Sequence, residues 1–113
     1  MFTTVTINGQ DYKLKLKASA CIDLERKLKT NPVNILRKIA DEGELPSLED
    51  LLTILQCSLQ AYHHGYDMNK TCDLYDQFID DGHTMVDLIP IMIDVFKASG
   101  LIKETPEEEE EKN

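Results

Sequence analysis

The stretch VTINGQDYKLKLK, residues 5–17, decides how the chain begins to fold. At its centre stands Asn8-Gly9, a dipeptide that accepts the positive φ angles of a two-residue turn between antiparallel strands. Apolar residues alternate with others on both sides of the turn, and lysine fills every second position at the end. Such alternation turns one set of side chains toward a core and leaves the lysines in solvent. We therefore predict a β-hairpin over residues 2–17.

The remainder of the chain has the apolar spacing of helices. Ser19, Asn31 and Ser47 are suited to capping helix N-termini, and Asp50 completes a capping-box variant with Ser47. Together with the glycines that end helices, these signals predict helices over residues 19–29, 32–42, 48–64, 68–81 and 85–99. The predicted fold class is mainly α: an N-terminal β-hairpin followed by a compact bundle of about five helices, forming a single domain over residues 1–103.

The fifth predicted helix is apolar on all sides, with Asp87 and Asp94 as the only charged residues between positions 85 and 96. A helix of this kind is central in its own domain or is covered by another protein. The size of the chain favours the central position, and the contact surface stays open as the alternative. Pro90 removes one backbone donor and predicts a bend. If the helix binds a partner, its contact residues are Met85, Leu88, Ile89, Met92, Ile93 and Phe96.

Charge divides the chain into two unequal parts. The formal net charge of the 113 residues is −9, with +5 in residues 1–40 and −14 in residues 41–113. An acidic chain is a poor ligand for phosphate backbones, so nucleic acid is not an expected partner. The uneven distribution favours self-association. Five glutamates fill positions 107–111, and their mutual repulsion predicts a disordered acidic tail over residues 104–113.

The sequence also limits location and chemistry. It has no run of eighteen apolar residues, so no membrane span is expected, and its three scattered cysteines are typical of reduced thiols in a cytosolic protein. The adjacent histidines at 63 and 64 have no metal-ligand spacing, and no nucleophile motif is present. Ser47 opens a helix as the modified serine of acyl carrier proteins does, but Pro46 replaces their aspartate. We predict no catalytic residue, no cofactor, no metal and no enzyme activity.

Six stretches in fixed order carry a family resemblance. They are INGQDY at residues 7–12, NP at 31–32, LPSLEDL at 45–51, YDQFIDDGHT at 75–84, DLIP at 87–90 and VFKASG at 95–100. In this order they resemble the tail assembly chaperones of siphophages that infect low-GC Gram-positive bacteria. The resemblance extends over residues 2–102 and rests on the order of elements rather than on a catalytic motif.

The resemblance implies a function. Such chaperones bind the tape measure protein in the host cytoplasm, keep it soluble until the tail tube assembles, and are absent from the mature virion. Many have a longer form, made by ribosomal frameshifting, whose extension recruits the tail-tube protein. The alternatives are a generic protein–protein adaptor or regulatory subunit and, least favoured, an acyl-carrier-like or metal-dependent protein.

Overall fold

The computed structural model describes residues 1–103, and in that part of the chain two strands precede five helices. The elements are β1 (Thr3–Ile7), β2 (Gln10–Leu14), α1 (Ala18–Leu28), α2 (Val33–Glu42), α3 (Leu48–Leu59), α4 (Met68–Asp80) and α5 (Leu88–Ala98), with a 3₁₀ turn over Met85–Asp87. The predicted class, a hairpin followed by five helices, is confirmed. The predicted acidic tail over residues 104–113 lies outside the described residues.

The hairpin forms at the predicted turn. β1 and β2 pair antiparallel with Val5 opposite Tyr12 and Ile7 opposite Gln10. Asn8 and Gly9 have φ angles of 52° and 75°, the left-handed conformations that a two-residue turn of this kind requires. Both strands are shorter than the predicted span, because the chain leaves the ladder after Leu14.

Three main-chain N–H groups, in β2 and just after it, donate hydrogen bonds that join the hairpin to the helical part of the chain. The Lys15 N–H donates to the Ser58 carbonyl oxygen at 3.0 Å, and the Lys13 N–H donates to His63 Nε2 at the same distance. Just beyond β2, the Leu16 N–H donates to Ser99 Oγ at 2.8 Å. The hairpin is thereby fixed to the end of α3, to the segment after it and to the end of α5.

The most enclosed helix is α3, and α5, for which a central position was favoured, has one side in the core with Leu88, Met92, Val95 and Phe96. α3 packs against α1, α4, α5 and β2, and its residues 51–55 and 57–59 are all buried. Two of these carry hydroxyl groups that bond within the helix: Thr53 Oγ1 donates to the Glu49 carbonyl oxygen and Ser58 Oγ to that of Ile54. A hydroxyl satisfied by its own helix can be buried on any side.

The helix limits differ most from the prediction at α3 and α5. α3 ends at Leu59 rather than at residue 64, and the side chain of Gln60 donates to the Tyr66 carbonyl oxygen at 2.7 Å, which holds the following turn. Ser47 caps α3 as predicted, accepting a hydrogen bond from the Asp50 N–H. Ser19 lies inside α1 and is not its cap, because that helix already begins at Ala18.

Candidate functional site

Three of the six predicted contact residues belong to the core. Leu88, Met92 and Phe96 are buried, and Phe96 has no exposed surface. They lie on the side of α5 that packs against α3 and join one apolar cluster with residues of the hairpin and the other helices. In this conformation they cannot contact a partner, so the contact set cannot comprise all six residues.

The other three predicted contact residues lie at the edge of the core. Met85, Ile89 and Ile93 are half-buried, and Met85 and Ile89 pack against the central cluster. Of the six, these three are the more exposed residues.

An exposed apolar surface runs along one side of α5. We call it the α5 stripe and define it as Val86, Ile89, Pro90 and Ile93. Their spacing brings them to one side of a helix. Val86 is 49% exposed, and Pro90 is exposed as well.

Pro90 occupies the third position of α5, which begins at Leu88. In the first turn of a helix the N–H groups have no intrahelical acceptor, so a proline there removes no hydrogen bond. The bend predicted at Pro90 is therefore unnecessary, because the α-helix starts two residues before it rather than at residue 85. Sequence periodicity alone could not place that start.

A second apolar surface lies between the first turns of α3 and α4. We call it the α3–α4 groove and define it as Leu48, Leu52, Met68 and Cys72. It encloses about 490 Å³ and is bordered by Lys27, Glu49, Asp50 and Thr53. Leu48 and Met68 are 37% and 38% exposed. Leu48 and Met68 are each the first residue of a helix, where a side chain can project past the packed layer.

His63 has a specific partner that the sequence did not indicate. Its Nε2 atom accepts the hydrogen bond from the Lys13 N–H, and its ring lies beside that of Tyr12, with 5.3 Å between centroids. This bond closes the edge of a strand 50 residues earlier in the chain.

Replacing His63 with alanine is expected to lower the free energy of unfolding by about 0.5–1.5 kcal/mol, the usual value of one hydrogen bond. The Lys13 amide should also exchange faster with solvent. Urea denaturation and amide hydrogen exchange measure the two effects. The matched control is His64→Ala, since His64 is exposed; equal effects in the two variants would contradict a specific role for His63.

Cys21 and Cys57 are not activated nucleophiles. Cys21, Cys57 and Cys72 are free thiols, and Cys57 is buried. Burial raises the pKa of the Cys57 thiol, and burial followed by the charge of Glu25 raises the pKa of the Cys21 thiol. Both groups therefore stay protonated at neutral pH, whereas nucleophilic attack requires the thiolate.

Residues 1–103 contain neither a cluster of metal-ligating side chains nor a helix that could span a membrane. In this region no three or more His, Cys, Asp or Glu side chains lie close enough to bind a metal ion together. Within the same residues, every helix is too short or too polar to span a membrane.

The fold and its surfaces define a small, mainly α protein with an N-terminal hairpin and at least two exposed apolar surfaces. Residues 2–112 match the family described as "Family of unknown function (DUF6096)", and the chain belongs to this family. It is also similar to the chloroplastic phytyl ester synthase 2 of Arabidopsis thaliana, with 30% identity over 112 residues. That alignment covers 89% of this chain, and the chain spans only 15% of the plant protein's length. No solved structure matches the chain.

Proposed function

We propose that the protein is a phage tail assembly chaperone, without enzyme activity, that binds the tape measure protein and keeps it soluble during tail-tube assembly. The observation that carries the proposal is the α5 stripe, an apolar surface on a strongly acidic protein. An exposed apolar side of a helix is a common docking surface for an amphipathic helix of a partner.

The charge of the chain supports the same proposal. A client with exposed apolar stripes aggregates unless its partner both covers the stripes and repels other copies of the complex. The stripe provides the cover, and the formal net charge of −9 provides the repulsion. The chemistry of the surface therefore favours a client helix whose apolar stripe is flanked by basic residues.

The proposal includes what the family resemblance implies about the setting. The protein acts in the host cytoplasm, and it leaves before the virion matures. A longer frameshifted form recruits the tail-tube protein, and copies of the chain associate with one another. The gene tests the frameshift directly: a slippery codon run near codons 111–113 with an overlapping frame beyond it is expected.

A generic adaptor or regulatory subunit is the second candidate, and the α3–α4 groove favours it, because two separate apolar surfaces suit two protein partners. Co-expression separates the two candidates, since only the chaperone increases the soluble fraction of a tape measure protein. The plant synthase does not contribute to either candidate, because this chain spans 15% of its length.

The test is the double variant Val86→Asp with Ile93→Asp. Two carboxylates on the stripe should weaken binding of the tape measure protein at least about thirtyfold, the effect of losing one strong interface residue. The soluble fraction of co-expressed tape measure protein should fall accordingly, while circular dichroism shows an unchanged fold.

The matched control is Ile22→Asp, which places one carboxylate on α1 at a residue that is 51% exposed. This variant should keep the tape measure protein soluble. If the double variant folds and keeps its client soluble as well as the control does, the α5 stripe is not the binding surface.

A further inference from the structure

The outer edge of β1 carries main-chain groups that face away from β2. In a hairpin with a two-residue turn the residues flanking the turn bond to each other, and every second residue along the strand does the same. With Ile7 opposite Gln10, the residues bonded to β2 are therefore Ile7, Val5 and Thr3. Thr4 and Thr6 direct their N–H and C=O groups outward, and both residues are exposed. Among residues 1–103, neither of these N–H groups donates a main-chain hydrogen bond outside the hairpin.

The two edges of the hairpin differ. The outward N–H groups of Lys13 in β2 and of Lys15 just beyond it are bonded to His63 and Ser58, and lysine stands at every second position over residues 13–17. Charged side chains of this kind discourage a further strand from pairing. β1, with the sequence TTVTI, has no charged residue. Its edge is therefore both unpaired and unprotected.

A groove of about 410 Å³ runs beside the open edge. Residues 4–6 of β1 form one wall, and Phe78, His83, Asp87 and Ile91 form the other. The His83 ring stacks on that of Phe78 with 4.3 Å between centroids, and His83 Nδ1 lies 3.6 Å from Asp87 Oδ2. The groove thus has an aromatic and aliphatic wall with a carboxylate at one point.

We propose that the β1 edge and this groove bind an extended segment of a partner protein by strand addition. Outward N–H and C=O groups on alternate residues are complementary to an extended backbone, which would bond at Thr4 and Thr6. Alternate side chains of the segment then enter the groove. An apolar side chain packs against Phe78 and Ile91, and a basic one pairs with the Asp87 carboxylate, which is 49% exposed.

This surface is separate from the α5 stripe. Ile91 and Ile93 are two positions apart, and at 3.6 residues per turn two positions correspond to about 200° around the helix. The groove and the stripe therefore lie on opposite sides of α5. One protein can hold a helical client and an extended segment at the same time, so this inference stands or falls independently of the proposed chaperone activity.

A synthetic peptide tests the inference. The probe is the blocked heptapeptide Thr-Val-Thr-Lys-Thr-Val-Thr, which is rich in strand-forming residues and carries its apolar and basic side chains on one face of an extended strand. At millimolar peptide we expect the Thr4 and Thr6 amides to exchange with solvent at least about tenfold more slowly, because strand addition protects the bonded amides. The same peptide with N-methyl groups on alternate residues is the matched control and should give no protection.

Two variants locate the site on the protein. Thr4→Pro removes the outward N–H without removing a bond to β2, and proline is tolerated at such edge positions. It should weaken peptide binding roughly three- to tenfold, the effect of one main-chain hydrogen bond. Thr4→Val keeps the N–H and should bind as the wild type does.

Three results would overturn the proposal. They are an absence of protection with the peptide, equal protection by the N-methylated peptide, and protection that rises with protein concentration when no peptide is present. The last result would assign the edge to a second copy of this chain. A peptide with glutamate in place of the lysine should bind more weakly, and equal binding would show that Asp87 does not contribute to recognition.

Discussion

Replacing Phe96 with alanine is expected to lower the free energy of unfolding by about 3–5 kcal/mol, because removing a buried aromatic ring loses its transfer free energy and leaves a cavity. Phe96 has no exposed surface and lies on the side of α5 that faces the core. Urea denaturation followed by circular dichroism measures the change. Since small domains are stable by about 5–15 kcal/mol in total, a loss of this size is readily visible.

Phe2→Ala is the matched control, because it removes the same ring from a residue that is 43% exposed. Phe2→Ala should lower the free energy of unfolding much less than Phe96→Ala does. A decrease below about 1 kcal/mol for Phe96→Ala would show that the inner side of α5 is not core. In that case all six residues predicted as contacts would again be available to a partner.

Replacing Leu59 with alanine is the second large expected effect. It should lower the free energy of unfolding by about 2–5 kcal/mol. Leu59 is the last residue of α3 and has no exposed surface. This variant tests whether α3 is the central helix, because a leucine at the end of a peripheral helix would usually reach solvent. Urea denaturation is again the measurement.

Leu48→Ala is the control in the same helix. Leu48 begins α3 and is 37% exposed. Its truncation to alanine should therefore lower the free energy of unfolding by less than about 1 kcal/mol. Similar costs at the two ends would mean that α3 is not enclosed along its length. The pair thus separates burial from helix propensity, since both substitutions replace leucine by alanine within one helix.

The hairpin and the start of α3 could be predicted because their signals are local. Asn8-Gly9 sets the turn by its own backbone preferences, and Ser47 caps α3 through a bond to Asp50, three residues away. Neither depends on the rest of the chain. Ser19 is the counterexample. Its residue type suits a cap, but α1 already begins at Ala18, and Lys17 occupies the N-cap position.

The identity of the central helix could not be predicted from hydropathy. α5 is the more apolar of the two helices, yet α3 is the more enclosed, because Thr53 and Ser58 satisfy their hydroxyl groups within the helix and need no solvent. A pattern of apolar residues counts these two positions as exposed. Hydropathy also could not divide α5 into the core side and the stripe, because both sides of that helix are apolar.

The bond between Lys13 and His63 and the open edge of β1 depend on distant parts of the chain. No local signal pairs a strand residue with a histidine 50 positions later. The edge of β1 follows from the predicted register, but the groove beside it needs Phe78 and Ile91 to be placed by α4 and α5. The sequence predicts the secondary-structure elements but not these contacts between them.

The bonds that fix the hairpin have a consequence for the order of folding. Leu16 bonds to Ser99 across 83 residues, and Asn8 bonds to Asp81 across 73. A hairpin made from residues 3–14 can close early, but it cannot dock until α4 and α5 exist. Contacts of such long sequence separation slow folding. On a ribosome, the hairpin therefore emerges before α4 and α5 but is fixed in place only after them.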